Sequence, residues 1–377
     1  MRARLAFVAL VCAAVSVFST SSACQNNSTG FGASSPAAQQ MKAEIARLQQ
    51  TIKEKPVTDK DLADIVSAAD NTLKEAGDAA AAGQIYLSLE KLGRAQNLLG
   101  AARRGADKSE VEKGGLPAFE SQWGKVSLRL TAQDLETHTR DWKNAPLAVR
   151  ALAQAAQGRA IPLLEGGRGF ATANGPKDGL LYVGQAEGEA DFAVFCTSLN
   201  LTSRPPSFQL RSFLPELQKL QEKTNAEFQP PKSIDLHSRF IALNSAIKLA
   251  EELDASKFYA GSLYIYLEAL RNYGMLDQQP LDASQQARVK QDVADTRRKL
   301  AGSASSDESI AELFLERAES YTAHADGSAP TADEWRSARI ILDQVLPAYY
   351  AAQKPAVLLQ RASGKTVDIT LVRWPYT

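Results

Sequence analysis

"AGQIYLSLEKL" (Ala82–Leu92) returns almost intact as "AGSLYIYLEAL" (Ala260–Leu270), with six identities in eleven positions. Apolar residues step by three and four in both: Ala82, Ile85, Leu89 and Leu92, then Ala260, Leu263, Leu267 and Leu270. That period is the signature of an amphipathic helix. Weaker echoes fall in the same order around it. "EIARLQQ" (Glu44–Gln50) matches "ELQKLQE" (Glu216–Glu222) 172 positions on. Pro56, Asp61, Leu62, Ala68 and Lys74 match Pro230, Asp235, Leu236, Ala242 and Lys248 at 174, and the opening phrase sits at 178. "PLLEGGRGFATANG" faintly matches "LFLERAESYTAHADG", pairing Glu165 with Glu316 at 151. Preserved order across the chain reads as an internal duplication. The final drop implies an insertion of about 27 residues in the first copy, between Gly93 and Pro162.

The pattern predicts six helices per half. In the first they span 39–55, 59–76, 79–100, 116–133, 145–173 and 178–199. In the second they span 208–226, 234–253, 256–275, 284–302, 307–325 and 331–352. Asp78 and Ser256 are the expected N-caps of the echoed helices. Ala82-Gly83 and Ala260-Gly261 place small residues on a helix surface, where a glycine suits a close crossing. The expected fold is all-α, in two halves at 39–200 and 207–352. Repeated helix hairpins resemble, in a general way, the tetratricopeptide-like α-solenoids, although the 34-residue consensus of that family cannot be laid on this chain. A pair of compact bundles fits the same pattern. At the end, Val367, Ile369 and Leu371 alternate with Asp368 and Thr370, which predicts a small β-hairpin within 355–377 anchored by Trp374 and Tyr376.

The first residues carry a different message. Arg2 and Arg4 precede an apolar run from Leu5 to Phe18, followed by small polar residues, the tripartite form of a secretory signal over 1–23. "SSAC" resembles the lipobox of bacterial exported lipoproteins, with Ser21 standing where that family usually has Leu, Val or Ile. The resemblance implies lipid attachment at Cys24, and Gln25 after it implies the outer membrane in a Gram-negative host. Cleavage at Ala23 without lipidation is the alternative. Residues 24–38 are small and polar, a flexible tether. No later apolar run reaches bilayer length, so any membrane attachment is through that anchor.

Basic and acidic residues balance at 43 each, and removing Arg2 and Arg4 leaves 41 against 43. Such a balance gives no general attraction to nucleic acid. Cys12 leaves with the signal and Cys24 takes the lipid, so Cys196 remains alone, as a small core residue. Candidate chemistry is thin. "SGKT" (Ser363–Thr366) lacks the first phosphate-loop glycine, with Leu359 in its place. His138 has Asp134 and Asp141 at helical spacing, and a salt-linked surface explains it better than a metal. Gly166, Gly167 and Gly169 surround Arg168 in "EGGRGF", a candidate anion-binding group or a helix crossing. Glu187, Glu189 and Asp191 read as a solvated face, and Tyr259, Tyr264, Tyr266 and Tyr273 mainly as core. No catalytic set, cofactor or metal is expected. The leading expectation is an envelope interaction protein for a protein or peptide partner. The alternatives are a small-ligand binder with a pocket between the halves, or a hydrolase with a carboxylate pair hidden from local motifs.

Overall fold

A computed structural model describes residues 35–54, 60–206, 208–231, 233–277, 279–302 and 306–353. The expected signal peptide, Cys24 and the C-terminal hairpin lie outside these residues. The chain is all-α. The first half forms α1 (Pro36–Glu54), α2 (Lys60–Ala81), α3 (Ile85–Gly105), α4 (Lys108–Thr139), α5 (Leu147–Asn174) and α6 (Pro176–Ser198). The second forms α7 (Leu214–Glu227), α8 (His237–Ala255), α9 (Tyr259–Gly274), α10 (Ala283–Gly302) and α11 (Ser309–Thr322). It ends with α12 (Ala332–Ile340), which runs through a π-turn at Ile341–Val345 into α13 (Leu346–Ala352). No strand occurs among the described residues, and no described helix is long and apolar enough to cross a membrane.

Several boundaries differ from the sequence reading, α2 running on to Ala81 and α4 spanning Lys108–Thr139, and two of them have clear local reasons. The tether expected through residue 38 gives way to helix at Pro36. There the Ser35 hydroxyl accepts the Ala38 amide, and Ala37 and Ala38 are buried. The seventh helix starts at Leu214 rather than 208, because the Phe213 amide and the Ser212 hydroxyl both donate to the Asp254 carboxylate (2.7 Å each).

The helices pack in a row. α2 lies on α3, α3 on α6, α6 on α5, α5 on α9 and α9 on α8. α4 covers α5 and α6, and α11 bridges α3, α5, α10 and α12. One core runs through both halves, from Met41 through Tyr86, Leu152 and Leu263 to Tyr349. α5 is buried on every side over its first three turns, which its alanines allow. α3 and α6 meet through Gly100, Gly184 and Gly188, where backbone touches backbone.

The echoed phrases are placed one helical turn apart. Gly83 adopts φ +80° and closes the α2–α3 turn, with the Gln84 amide bonded to the Ala79 carbonyl (2.8 Å). Gly261 instead lies inside α9, close against Gln154. The starts of α3 and α9, Ile85 and Tyr259, are therefore 174 positions apart, not 178. Neither expected cap acts as one, since Asp78 lies within α2 and Ser256 follows the end of α8.

Two side chains reach across the seam in reciprocal fashion. The Gly261 amide of α9 donates to Gln154 Oε1 of α5 (2.9 Å), and the Leu87 amide of α3 donates to Glu316 Oε2 of α11 (2.7 Å). Burial holds the Glu316 carboxyl well above its ordinary value of 4.5, and Glu312 and Glu319 push the same way against the Leu87 amide and Arg297. The folded state thus retains this proton more tightly than the unfolded chain. Its stabilisation is complete below pH 4.5 and is lost as pH rises through the raised folded value. Glu316→Gln keeps an acceptor for Leu87, as Gln154 already supplies for Gly261. It should stabilise the protein by on the order of 1 kcal/mol at pH 9, with a smaller gain at pH 5. Urea denaturation at the two pH values checks this, and a loss of stability at both would contradict it.

Candidate functional site

The seam opens into a cavity of about 600 Å³. Four stretches line it: the end of α4 with the 140–144 linker, the first turns of α5, Pro205-Pro206 between the halves, and Lys257-Phe258 from the second half. Each segment is held by its own bonds. α4 ends where Arg140 turns extended. Trp142 then folds back, its indole donating to the Thr137 carbonyl (3.1 Å), and the Arg140 guanidinium lies 5.2 Å over its ring. Asp141 Oδ1 accepts the Lys143 amide (3.0 Å). The first amides of α5 are taken by the second half, Leu147 by Asp307 (2.6 Å) and Ala148 by the Ser309 hydroxyl (2.8 Å). The Ser203 amide donates to the Asn144 carbonyl (2.9 Å), fixing the proline segment.

Across the cavity, α8 ends in a Schellman turn. The Phe258 amide bonds to the Leu253 carbonyl (2.8 Å) and the Lys257 amide to the Asp254 carbonyl (2.9 Å). Lys257 occupies the left-handed position at φ +61°, where glycine is usual and where Gly83 stands in the α2–α3 turn. A strained non-glycine residue at the rim of a cavity is the kind of feature functional sites retain.

Positive charge dominates the lining, with Arg140, Lys143, Arg150 and Lys257 against Asp141. None of these five belongs to an ion pair among the described residues. His138 adds a fifth cation at lower pH. Its Nδ1 and Nε2 both face backbone carbonyls, of Asp134 (2.9 Å) and Ser256 (3.0 Å), which can only accept. Burial opposes the charged ring, but these two carbonyls and the Asp134 carboxylate outweigh it and raise the pKa. Its ring stacks on Phe258 with centroids 4.0 Å apart. Asp141 does not join it, and no group of three or more potential metal ligands occurs among the described residues.

Arg150 is the unusual member. Burial alone lowers its pKa, and its Nε is buried without a partner among the described residues. A guanidinium drawn out of water and left unpaired is costly unless something anionic completes it.

The residues singled out in sequence lie elsewhere. Arg168 pairs with Glu120 (3.0 Å) and stacks 4.5 Å over Trp123. The amides of Gly166, Gly167 and Gly169 belong to the continuous helix α5, and Gly167 serves a crossing against Gly179. The acidic run is not a solvated face: Glu187 and Glu189 are buried, and each is held by an arginine, Arg104 (2.9 Å) and Arg159 (2.8 Å) respectively. Tyr264 is core and bonds Glu90 (3.1 Å), whereas Tyr273 reaches Glu227. Cys196 is buried, and burial pushes its thiol far up, away from the reactive thiolate. The sequence reading missed Arg150 and Lys257. Aligning the halves at 174 would have exposed Lys257 as a lysine standing where the first half has Gly83.

No protein-family profile, curated protein or solved structure matches the chain.

Proposed function

We propose that this chain is a non-catalytic ligand-binding protein of the bacterial cell envelope, exported, anchored through a lipidated Cys24, and built from two copies of one helical block. Reciprocity supports the doubling. Gln154 on Gly261 and Glu316 on Leu87 are one contact made twice, with acceptors 162 apart and donors 174 apart. The drop of 12 between these offsets equals the excess length of α4 (32 residues, broken by a kink at Gly115 with φ +62°) over α10 (20 residues), shorter than the insertion the sequence echoes implied. Non-sequential packing, α3 on α6 and α5 on α9, favours paired bundles over a solenoid, whose units touch only their neighbours. The observation that carries the binding reading is the cavity itself. It lies at the seam, in the size range of small-molecule sites, and is lined by cations that form no ion pair among the described residues.

A photo-crosslinking residue at Asn144, on the cavity rim, tests this in an exporting bacterium. The expected result is a small-molecule adduct at Asn144 that is absent from the same probe at exposed Gln50 of α1. Equal labelling at both positions would overturn the reading. A second reading, a docking platform for a protein, is favoured by Leu128 and Leu135, which stand 76% and 66% exposed one heptad apart on α4. A protein adduct on that face, with none in the cavity, would favour it.

A further inference from the structure

The two offsets carry past the reciprocal bonds to the charges around them. Arg150, Gln154 and Gln157 on α5 correspond, 162 positions on, to Glu312, Glu316 and Glu319 on α11. Around α11 the site is acidic and filled from within the chain. Arg297 of α10 enters it and clasps Glu319 through Nε and Nη2 (2.6 and 2.8 Å). Its positive charge also lies in the field of Glu316 and Glu312. Around α5 the sign is inverted. Arg150 replaces the first glutamate, two neutral glutamines replace the others, and Lys257 stands where the matching turn has Gly83. Among the described residues no carboxylate forms an ion pair with these cations, and Asp141, whose Oδ1 accepts the Lys143 amide, is the one carboxylate in the lining.

We propose that the cavity at the seam binds a compact oligo-anion, a small molecule carrying several phosphoryl or carboxylate oxygens, with Arg150 as its anchor and Lys257, Lys143 and Arg140 around it. This rests on the reading of the cavity as a ligand site. The charge of the anion takes the place that Arg297 fills, with opposite sign, in the other half. A guanidinium fork suits paired oxyanion oxygens. Trp142 holds the Arg140 guanidinium in position by stacking, so less ordering remains to be done there on binding. Gln154 already spends its oxygen on Gly261 and turns only its amide donor toward a ligand.

Titration calorimetry on the purified mature protein, at low ionic strength, tests this with three probes: pyrophosphate, citrate and uncharged sucrose. Pyrophosphate, citrate or both should bind saturably, more weakly as salt is added, and sucrose should not bind. The stronger of the two anions tells phosphoryl from carboxylate chemistry. Arg150→Gln should weaken binding about tenfold or more, while Lys53→Gln, at an exposed position of α1, should leave it unchanged. Should Arg150→Gln fail to fold, Lys257→Gly decides. It places glycine at φ +61°, so it should raise the melting temperature while weakening the anion about threefold or more. Equal affinity in the wild type and both variants would overturn the proposal. An Asn144 adduct with an uncharged molecule would also overturn it, while leaving the cavity a ligand site. No cavity adduct at all would remove the underlying reading.

Discussion

Arg317→Met should destabilise the protein by about 3–5 kcal/mol, more than a change at any surface ion pair. Arg317 sits on α11 with its side chain 5% exposed, between Glu90 of α3 and Glu268 of α9. Its Nε donates to Glu90 Oε2 (2.6 Å) and its Nη2 to the Tyr264 hydroxyl (2.8 Å), while Nη1 meets Glu268. Burial disfavours the guanidinium charge, but Glu268, Glu90 and Tyr264 more than restore it and raise its pKa. These groups join both halves, so one substitution leaves two half-buried carboxylates short of a cation at once, Glu90 with the Tyr264 hydroxyl and Glu268 with Arg271. Adding Glu90→Gln and Glu268→Gln to Arg317→Met should recover at least half of the loss, because the cost is that of unpaired charge. Urea unfolding of the three proteins checks this. A loss unaffected by the added amides would mean that packing, not charge, ties α11 to α3 and α9.

Gly184→Ala is expected to match or exceed the usual overpacking penalty of about 1–3 kcal/mol, although it adds a single methyl. A Cβ at Gly184 would lie within 3.0 Å of the Gly100 carbonyl, and one at Gly188 would do the same against Gln96. Both obstacles are backbone, so no rotamer change relieves them and α3 would have to move off α6. The comparison is Gly166→Ala. That glycine is also helical, nothing lies within 4 Å of its added Cβ, and alanine there should stabilise by about 0.5–1 kcal/mol. Opposite signs for the two changes would show that the glycines differ by crossing, not by composition. A mild effect at Gly184 would mean that the α3–α6 contact is looser than described.

Helix positions were largely legible because an apolar stripe of period 3.6 persists through each segment, whatever its neighbours do. The same periodicity concealed the register. A slip of four residues returns almost the same face, so "AGQIYLSLEKL" and "AGSLYIYLEAL" align well at 178 while the helices they enter start 174 apart. Only the backbone distinguishes Gly83 at φ +80° from helical Gly261. The charges were misread for a different reason. Glu187 and Glu189 look solvated until Arg104 and Arg159 are brought to them by packing, and Arg168 looks free until Glu120 arrives. The cavity was the least legible feature, because its lining comes from four separate stretches and its anchor, Arg150, lies in an alanine-rich core helix. Partners distant in sequence decide whether a charge is spent or available, and no local pattern records them.

The most direct measurement is a crystal structure of the mature protein grown with pyrophosphate. Anion density is expected against the Arg150 guanidinium, reaching toward Lys257, and none beside Arg297, where Glu319 already occupies the fork. Density confined to exposed lysines, with Arg150 facing only solvent or a carboxylate of the chain, would contradict it.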